Sequence, residues 1–166
     1  MAENDNSGAF KNPADIGIAP EERSRIVRIL NALLADEVLL YVKTRNFHWN
    51  VEGPSFSEMH KFFEAQYEQL DEILDEVAER ARAIDGRAAG SMREFLQLAR
   101  LKESPDDLNW KQMVETLLAD HQALIRQMRA DIQTLDGTSD AGTEDFITGL
   151  IEAHEKMAWM LRSYTR

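Results

Sequence analysis

Residues 46–80 of this 166-residue chain are NFHWNVEGPSFSEMHKFFEAQYEQLDEILDEVAER, and they join the end of one predicted helix to most of the next. On the upstream side, apolar residues recur every seven positions, a spacing that places them on one face of an amphipathic helix. These residues are Ile26, Leu33, Leu40 and Phe47. The pattern predicts a first helix over residues 21–48.

A turn follows at 50–54, where a glycine and a proline interrupt the first helix. Ser55 followed by Glu58 has the pattern of a capping box, in which each side chain bonds the other residue's backbone. An apolar stripe then continues to Asp85-Gly86 and predicts a second helix. We expect this helix to end there, because glycine suits a left-handed helix end.

The rest of the chain predicts two more long helices and a short one. The segment 92–101 is amphipathic and short. The run SPDD at 104–107 has a cap, a proline and an acid where helices begin, and it predicts a third long helix that ends between Leu135 and Gly137. A fourth long helix is predicted from Thr143.

Four long helices without a candidate strand predict an all-α domain over 21–166, preceded by a flexible N-terminal arm at 1–20. The links within the first and the second helix pair are short, so we expect each pair to be antiparallel. The link between the second and third helices is long enough to cross the bundle and leave those two parallel. The expected fold is therefore a ferritin-like four-helix bundle with a long crossover that carries a short helix.

The composition excludes several functional classes. Hydrophobic residues make up 43%, enough for a sizeable core, and the absence of cysteine excludes disulfides, iron–sulfur clusters and thiolate nucleophiles. The net charge of −11 disfavours contact with phosphate backbones. There is neither an apolar run long enough to cross a membrane nor a start that looks like a secretory signal. We expect a soluble cytoplasmic protein, with nucleoid association as the alternative.

The second helix carries two pairs of side chains suited to metal binding. His60 and Glu64 lie one turn apart, and so do Asp75 and Glu79. At ~100° per residue these four form one stripe, roughly 110° from the apolar stripe. The two pairs are separated by ~16 Å of helix rise. Because ligands bind a metal at ~2 Å, one ion cannot be held by both pairs of the same chain.

The stripe predicts instead a site shared by two copies of the chain. When it packs antiparallel against its own copy across a two-fold axis, His60 and Glu64 of one chain meet Asp75 and Glu79 of the other. His48, at the end of the first helix, completes the first half. This nitrogen and oxygen donor set suits iron, manganese or zinc, and open positions would admit an oxidant.

A metal centre inside one bundle is not expected, because such centres use inward Glu-x-x-His pairs and the chain contains none. The same absence argues against a bacterioferritin-like haem carrier. Asp36 and Glu37, near the apolar positions of the first helix, are expected to be hydrogen-bonded polar residues, with a second metal site as the alternative. His121 and His154 are expected to be packing or surface histidines.

The run NFHWNVEG at 46–53 and the ligand spacing resemble the Dps family, the DNA-protection-during-starvation proteins or mini-ferritins. The spacing is His-x11-His-x3-Glu-x10-Asp-x3-Glu, with the residues His48, His60, Glu64, Asp75 and Glu79. The resemblance extends over all four long helices.

This resemblance implies a hollow homo-dodecamer built from two-fold dimers, with no haem. It implies a ferroxidase that oxidises Fe(II), preferably with hydrogen peroxide, and an iron store that protects against oxidative damage. His48, His60 and Glu64 match the iron ligands of one subunit, and Asp75 and Glu79 those of its mate. Many members have Asp at the position of Glu64, so the longer side chain is expected to shift metal spacing or affinity.

Many members also bind DNA through lysine-rich termini, and here the chain departs from the family. The charged side chains of the arm are one lysine and three acids: Lys11, Glu3, Asp5 and Asp15. We expect weak or absent DNA binding at neutral pH. The alternative function is a nucleoid-associated, DNA-binding structural assembly with little catalysis, which the charge of −11 disfavours.

Two further features have alternative interpretations. Trp49, beside the predicted site, is either an interface anchor or an electron donor that quenches radicals. The acids around the last turn either line an iron-uptake pore at a symmetry axis or act as helix caps and solvated loop charges. They are Asp136, Asp140, Glu144 and Asp145.

Overall fold

The computed structural model describes residues 14–104 and 106–165, and these form five helices with no strand among them. The helices are α1 (Pro20–Asn50), α2 (Phe56–Ala83), α3 (Met92–Leu98), α4 (Trp110–Leu135) and α5 (Ala141–Ser163). The four long helices pack around one apolar core, and the short α3 lies in the crossover between α2 and α4. The predicted all-α bundle with a long crossover is confirmed.

Contacts at both ends of the helices fix their directions. α1 and α2 are antiparallel, because His48 meets His60 at one end and Asn31 bonds the carbonyl of Arg87 at the other. α2 and α5 are antiparallel as well. Glu58 bonds Tyr164 at one end of this pair, and at the other the guanidinium of Arg80 bonds Thr143 and Asp140.

The crossover is fastened to α1 and α4 by buried charges. Asp36 has no exposed surface and accepts hydrogen bonds from the backbone N–H groups of Arg100 and Leu101, at 2.6 and 2.9 Å. The Arg100 guanidinium bonds Asp36 and also Asp131 of α4. Seven residues further along α1, Lys43 pairs with Asp120 of α4 at 2.6 Å. From the first contact to the second, the residue number increases on α1 and decreases on α4. α4 is therefore antiparallel to α1 and parallel to α2, as predicted.

Several helix ends differ from the prediction. Ser55 is the N-cap of α2, but its side chain makes no capping hydrogen bond, and Glu58 bonds Tyr164 instead. After α2, the left-handed residue is Asp85, with φ of 67°, rather than Gly86. Gly86 is needed for a different reason, since a Cβ there would lie 2.3 Å from a methyl carbon of Val27.

α4 begins later than the SPDD run predicts. Asp107 has φ of 60°, a left-handed conformation that a helix cannot contain. The capping box is formed instead by Asn109 and Gln112, whose side chains each bond the other's backbone N–H. α5, in contrast, begins two residues before the predicted Thr143, at Ala141. Its N-cap is Asp140, whose side chain accepts a hydrogen bond from the Thr143 N–H.

The predicted N-terminal arm lies mostly outside the described residues, which exclude 1–13. Its last part is described at 14–19, where Ile18 packs against the core. The Arg23 guanidinium bonds the carbonyls of Ala14 and Ile18 and pairs with Asp85. No helix in the described ranges has the length and apolar character needed to span a bilayer.

Candidate metal centre

His48 and His60 face each other across the turn between α1 and α2. Their rings are stacked with centroids 3.7 Å apart and planes inclined by 21°. Nδ1–H of His48 donates to the carbonyl oxygen of His60 at 2.8 Å, and Nδ1–H of His60 donates to the carbonyl oxygen of His48 at 2.9 Å. The two predicted ligands are therefore brought together by a reciprocal pair of hydrogen bonds.

These bonds also set the chemistry of the rings. A carbonyl oxygen only accepts, so each Nδ1 carries a proton, and in the neutral ring it is Nε2 that keeps the lone pair. Backbone carbonyls commonly orient metal-binding histidines in this way. The short turn between two antiparallel helices thus holds two parallel imidazoles ready to donate to a metal through Nε2.

Glu64 lies one turn beyond His60 and is contacted by Tyr67. The Tyr67 hydroxyl is 3.4 Å from a carboxylate oxygen of Glu64, and its ring packs edge-on against His48 with centroids 5.1 Å apart. The Arg45 guanidinium lies 4.6 Å from the centroid of the Tyr67 ring. Desolvation, followed by the negative charge of Glu64, raises the pKa of Tyr67 above its ordinary value, so its hydroxyl keeps its proton as a donor.

Asp75 and Glu79 lie on the same helix but away from the histidines. Both are exposed, and neither has a hydrogen bond or ion pair with another described residue. Between them and His60 and Glu64 lies ~16 Å of helix rise. No group of three or more His, Asp or Glu in the described ranges is arranged to hold a metal. In the described part of the chain, the five predicted donors therefore fall into two separate sets.

An apolar patch surrounds Asp75 on the outer side of α1, α2 and α3. Its large side chains include Val42 and Met92, which are 47% and 57% exposed. The patch is lined by Leu34, Val38, Tyr41, Val42, Asp71, Leu74, Asp75, Ala78, Ala89, Met92 and Phe95. Apolar surface next to an unpaired carboxylate is typical of a face that another protein surface covers.

The other chemistry-bearing residues take different places. His121 and His154 have no exposed surface, so neither is a surface histidine. Trp49 is 63% exposed and lies beside Arg45. Asp140 caps α5 and pairs with Arg80, a structural role that agrees with the interpretation of the loop acids as caps.

Two residues at the centre were missed as parts of it. Neither Tyr67 nor Arg45 is among the residues predicted for the centre. Tyr67 lies three residues after Glu64, a spacing that puts two side chains on the same helix face, so sequence alone held a signal for this contact. The position of Arg45 over Tyr67 depends on how α1 packs against α2, and the spacing of residues within one helix does not predict that packing.

Comparison with known proteins agrees with this geometry. The family of ferritin-like domains matches residues 27–166. A low temperature-induced protein of Nostoc sp. is 47% identical over 152 residues, which cover 90% of this chain and 85% of that protein. DNA protection during starvation protein 2 of Bacillus anthracis is 32% identical over 140 residues, which cover 84% and 96% of the two chains.

The same likeness holds in three dimensions. The crystal structure of a Dps protein from Vibrio cholerae, described as a member of a broad superfamily of ferritin-like diiron-carboxylate proteins, is 30% identical to this chain. It superposes with a TM-score of 0.88 and covers 93% of this chain and 97% of its own. On the extent of these matches and the five-helix order, the chain belongs to the Dps family of ferritin-like proteins.

Proposed function

We propose that this protein is a ferroxidase and iron-storage mini-ferritin whose oxidation centres lie between subunits. The observation that carries the proposal is the division of donors along α2. His48 and His60 present free Nε2 atoms beside Glu64, whereas Asp75 and Glu79 are exposed and unpaired ~16 Å away. A second copy, antiparallel across a two-fold axis, brings the two halves together.

The apolar patch around Asp75 supports this pairing. Covering Val42 and Met92 removes apolar surface from water, a favourable step worth about 25 cal/mol per Å². The interface that stabilises the dimer would therefore be the one that assembles the centre. We further propose that these dimers form the hollow homo-dodecamer implied by the family resemblance, with ferric mineral stored inside.

The donor set suits iron as a substrate. Two imidazoles and three carboxylates supply nitrogen and oxygen ligands without sulfur, and carboxylates stabilise Fe(III) as charge develops. Two Fe(II) ions would each give one electron to hydrogen peroxide, whose O–O bond breaks to yield two hydroxide-level oxygens. The Fe(III) ions then hydrolyse with water and release protons. Because peroxide takes both electrons in one centre, no hydroxyl radical is released.

Protection of DNA would then follow from removal of Fe(II) and peroxide rather than from DNA binding. Relatives such as the Bacillus anthracis protein are named for DNA protection during starvation. This chain has a net charge of −11, which opposes contact with phosphates at neutral pH. A gel-shift assay at low salt should therefore show no complex, and a strong shift would favour the nucleoid-associated structural assembly.

The first test follows ferric absorbance after anaerobic protein, loaded with Fe(II), is mixed with peroxide. His48→Gly with His60→Gly should lower the rate by more than ~10-fold, because both nitrogen donors are lost. A matched control is available for the acidic half. Asp75→Asn with Glu79→Gln should slow the reaction, whereas Glu72→Gln with Glu76→Gln removes equal charge from exposed positions on the same helix and should not. Unchanged rates in the histidine variant would refute the assignment.

The second test asks whether the centre is shared. One variant lacks the nitrogen donors (His48→Gly, His60→Gly), the other lacks the acidic half (Asp75→Asn, Glu79→Gln), and each alone should show the lowered rate of the first test. When the two are co-expressed, every mixed dimer regains one intact centre, so up to about a quarter of the wild-type centres should return with random pairing. A centre within one chain predicts no recovery, as each chain would lack part of its own site.

A further inference from the structure

The core of the bundle contains four polar residues at positions where its pattern calls for apolar ones. They come from the four long helices and are at most 3% exposed: Glu37, Gln66, His121 and His154. Six of their side-chain nitrogen and oxygen atoms are buried without a hydrogen-bond partner. Each such atom costs about 1–3 kcal/mol, so six of them would consume much of the stability of a domain.

Three of these residues form a connected set, here called the Glu–His–His cluster (Glu37, His154, His121). Oε1 of Glu37 lies 3.0 Å from Nε2 of His154, but neither atom has a partner in hydrogen-bond alignment. The other nitrogen of His154, Nδ1, lies 2.9 Å from Nδ1 of His121 and is hydrogen-bonded to it. Both carboxylate oxygens of Glu37 and Nε2 of His154 are therefore buried in the core without a hydrogen-bond partner.

Within the cluster, the ring of His154 is the group that lies beside the Glu37 carboxylate. Two basic residues that form ion pairs at α1 have other partners. Arg100 pairs with Asp36 and Asp131, and Lys43 pairs with Asp120. Nε2 of His154 and Oε1 of Glu37 are close but not aligned for a hydrogen bond, so a metal ion between them fits the geometry better than a protonated ring. Such an ion would also supply the cation that a buried carboxylate needs.

We propose that the Glu–His–His cluster binds a divalent transition-metal ion of the Zn²⁺ or Fe²⁺ class inside each subunit. Its ligands are the two carboxylate oxygens of Glu37 and Nε2 of His154. The 3.0 Å between Oε1 and Nε2 is the separation of two neighbouring ligands that each lie ~2.1 Å from one ion. One imidazole nitrogen and two carboxylate oxygens form a donor set that suits both metals.

His121 acts in this site as the support of a ligand. With the ion on Nε2 of His154, its Nδ1 carries the proton and donates to Nδ1 of His121, the arrangement that commonly orients metal-binding histidines. Gln66 is available as a further oxygen donor. The contacts that join α2 to α5 set a register in which Gln66 lies within about one helical turn of the level of His154.

This site differs from the shared centre in three respects. It uses no residue of that centre, it needs no second subunit, and its two ligand residues have no exposed surface in a single chain. It also lacks the inward Glu-x-x-His pairs of an ordinary di-iron bundle. Two ligand residues supply its three donor atoms, in keeping with the absence of any three-residue group already arranged around a metal in the described ranges.

The test uses zinc as the probe in the His48→Ala, His60→Ala variant, from which the nitrogen ligands of the shared centre are removed. The protein is expressed in zinc-supplemented medium and dialysed, and bound metal is measured by mass spectrometry. We expect one Zn²⁺ per subunit and a zinc-dependent rise in Tm. Adding Glu37→Gln should remove the zinc, and adding His121→Phe should weaken binding 10–100-fold. Glu152→Gln, an exposed change of the same kind on α5, should have no effect.

Helical circular dichroism and sedimentation show whether each variant folds and assembles. Where Glu37→Gln fails to fold, Co²⁺ replaces zinc in the His48→Ala, His60→Ala protein, and its absorption bands should report nitrogen and oxygen ligation. A folded protein of this variant that binds neither metal would overturn the proposal, as would equal zinc binding after Glu37→Gln. Neither result depends on peroxide-driven iron oxidation, so it leaves the proposed function to its own tests.

Discussion

His48 and His60 each donate a ring N–H to the other's backbone carbonyl, and their stacked rings close the turn between α1 and α2. The same two side chains are thus both predicted ligands and the fastening of a helix junction. Each bond depends on the other for its geometry, because the carbonyls and rings belong to the same two residues.

We expect this reciprocity to appear as coupling in a double-mutant cycle of His48→Ala and His60→Ala. Either single change removes one hydrogen bond and the stacking, so the double variant should be more stable than the sum of the single losses predicts. The coupling should be about 0.5–3 kcal/mol. Denaturant unfolding of metal-free protein measures it, and additive losses would argue against the reciprocal bonds.

Tyr67→Phe should weaken Fe(II) binding while leaving the fold intact. The change removes the hydroxyl 3.4 Å from Glu64 but keeps the ring against His48. Outer contacts of this kind are worth 10–100-fold in metal affinity, and this long one should lie near ~10-fold. Anaerobic calorimetry with Fe(II) gives the value. Tyr164→Phe, which removes a hydroxyl bonded to Glu58, is the matched control and should not change affinity.

Asp36→Ala should destabilise the protein by about 3–5 kcal/mol, since it removes the buried partner of Arg100 and leaves two backbone N–H groups unpaired. Asp131→Ala breaks the other carboxylate contact of the same arginine at a partly exposed position and should cost less. Thermal unfolding of both variants makes the comparison. Equal losses would mean that burial of Asp36 does not set the strength of the crossover contact.

Gly86→Ala should destabilise the protein by about 1–3 kcal/mol, because its Cβ would lie 2.3 Å from a methyl carbon of Val27 and 2.8 Å from the Ala81 carbonyl oxygen. A second change, Val27→Ala, should restore part of the loss. Gly149→Ala is the matched control, since a Cβ there meets no atom within 4 Å inside α5. It should leave stability unchanged or raise it by up to ~1 kcal/mol.

The pH dependence should include a contribution from Glu94. Hydrogen bonds from Arg87, Ser91 and the Gly90 backbone lower its pKa from 4.5 to about 2. Because the folded-state pKa lies below the unfolded one, the ionised carboxylate stabilises the fold above pH 4.5, and this stabilisation is lost as the pH falls toward 2. The Tm of Glu94→Gln should thus lie below that of the wild type at pH 6 and converge with it near pH 2. Glu103→Gln should show no such convergence.

Helix number, type and direction could be predicted because they follow from local patterns. The seven-residue spacing in α1 and the length of the link after α2 depend only on nearby residues. Helix ends were less predictable, since capping groups compete. Glu58 bonds Tyr164, which lies 106 positions away, instead of closing a box with Ser55.

The same division applies to the candidate centre. Spacing along one helix was enough to separate His60 and Glu64 from Asp75 and Glu79, because helix geometry fixes rise and angle. The reciprocal bonds of the histidines needed the turn to be built first. The Glu–His–His cluster joins residues of α1, α4 and α5, whose contacts depend on the assembled bundle. The spacing of residues along the sequence therefore could not predict it.

The distance along α2 between the two sets of donors has a consequence for the timing of the chemistry. A newly synthesised chain that has folded but found no mate holds two incomplete half-sites and would be inert toward iron and peroxide. Under the proposed function, reactivity begins with association, so ferric product would not form on stray monomers, where it would have no enclosed space to enter. The arrangement of donors along one helix would thereby make iron oxidation start only when the subunits assemble into the oligomer that stores the ferric product.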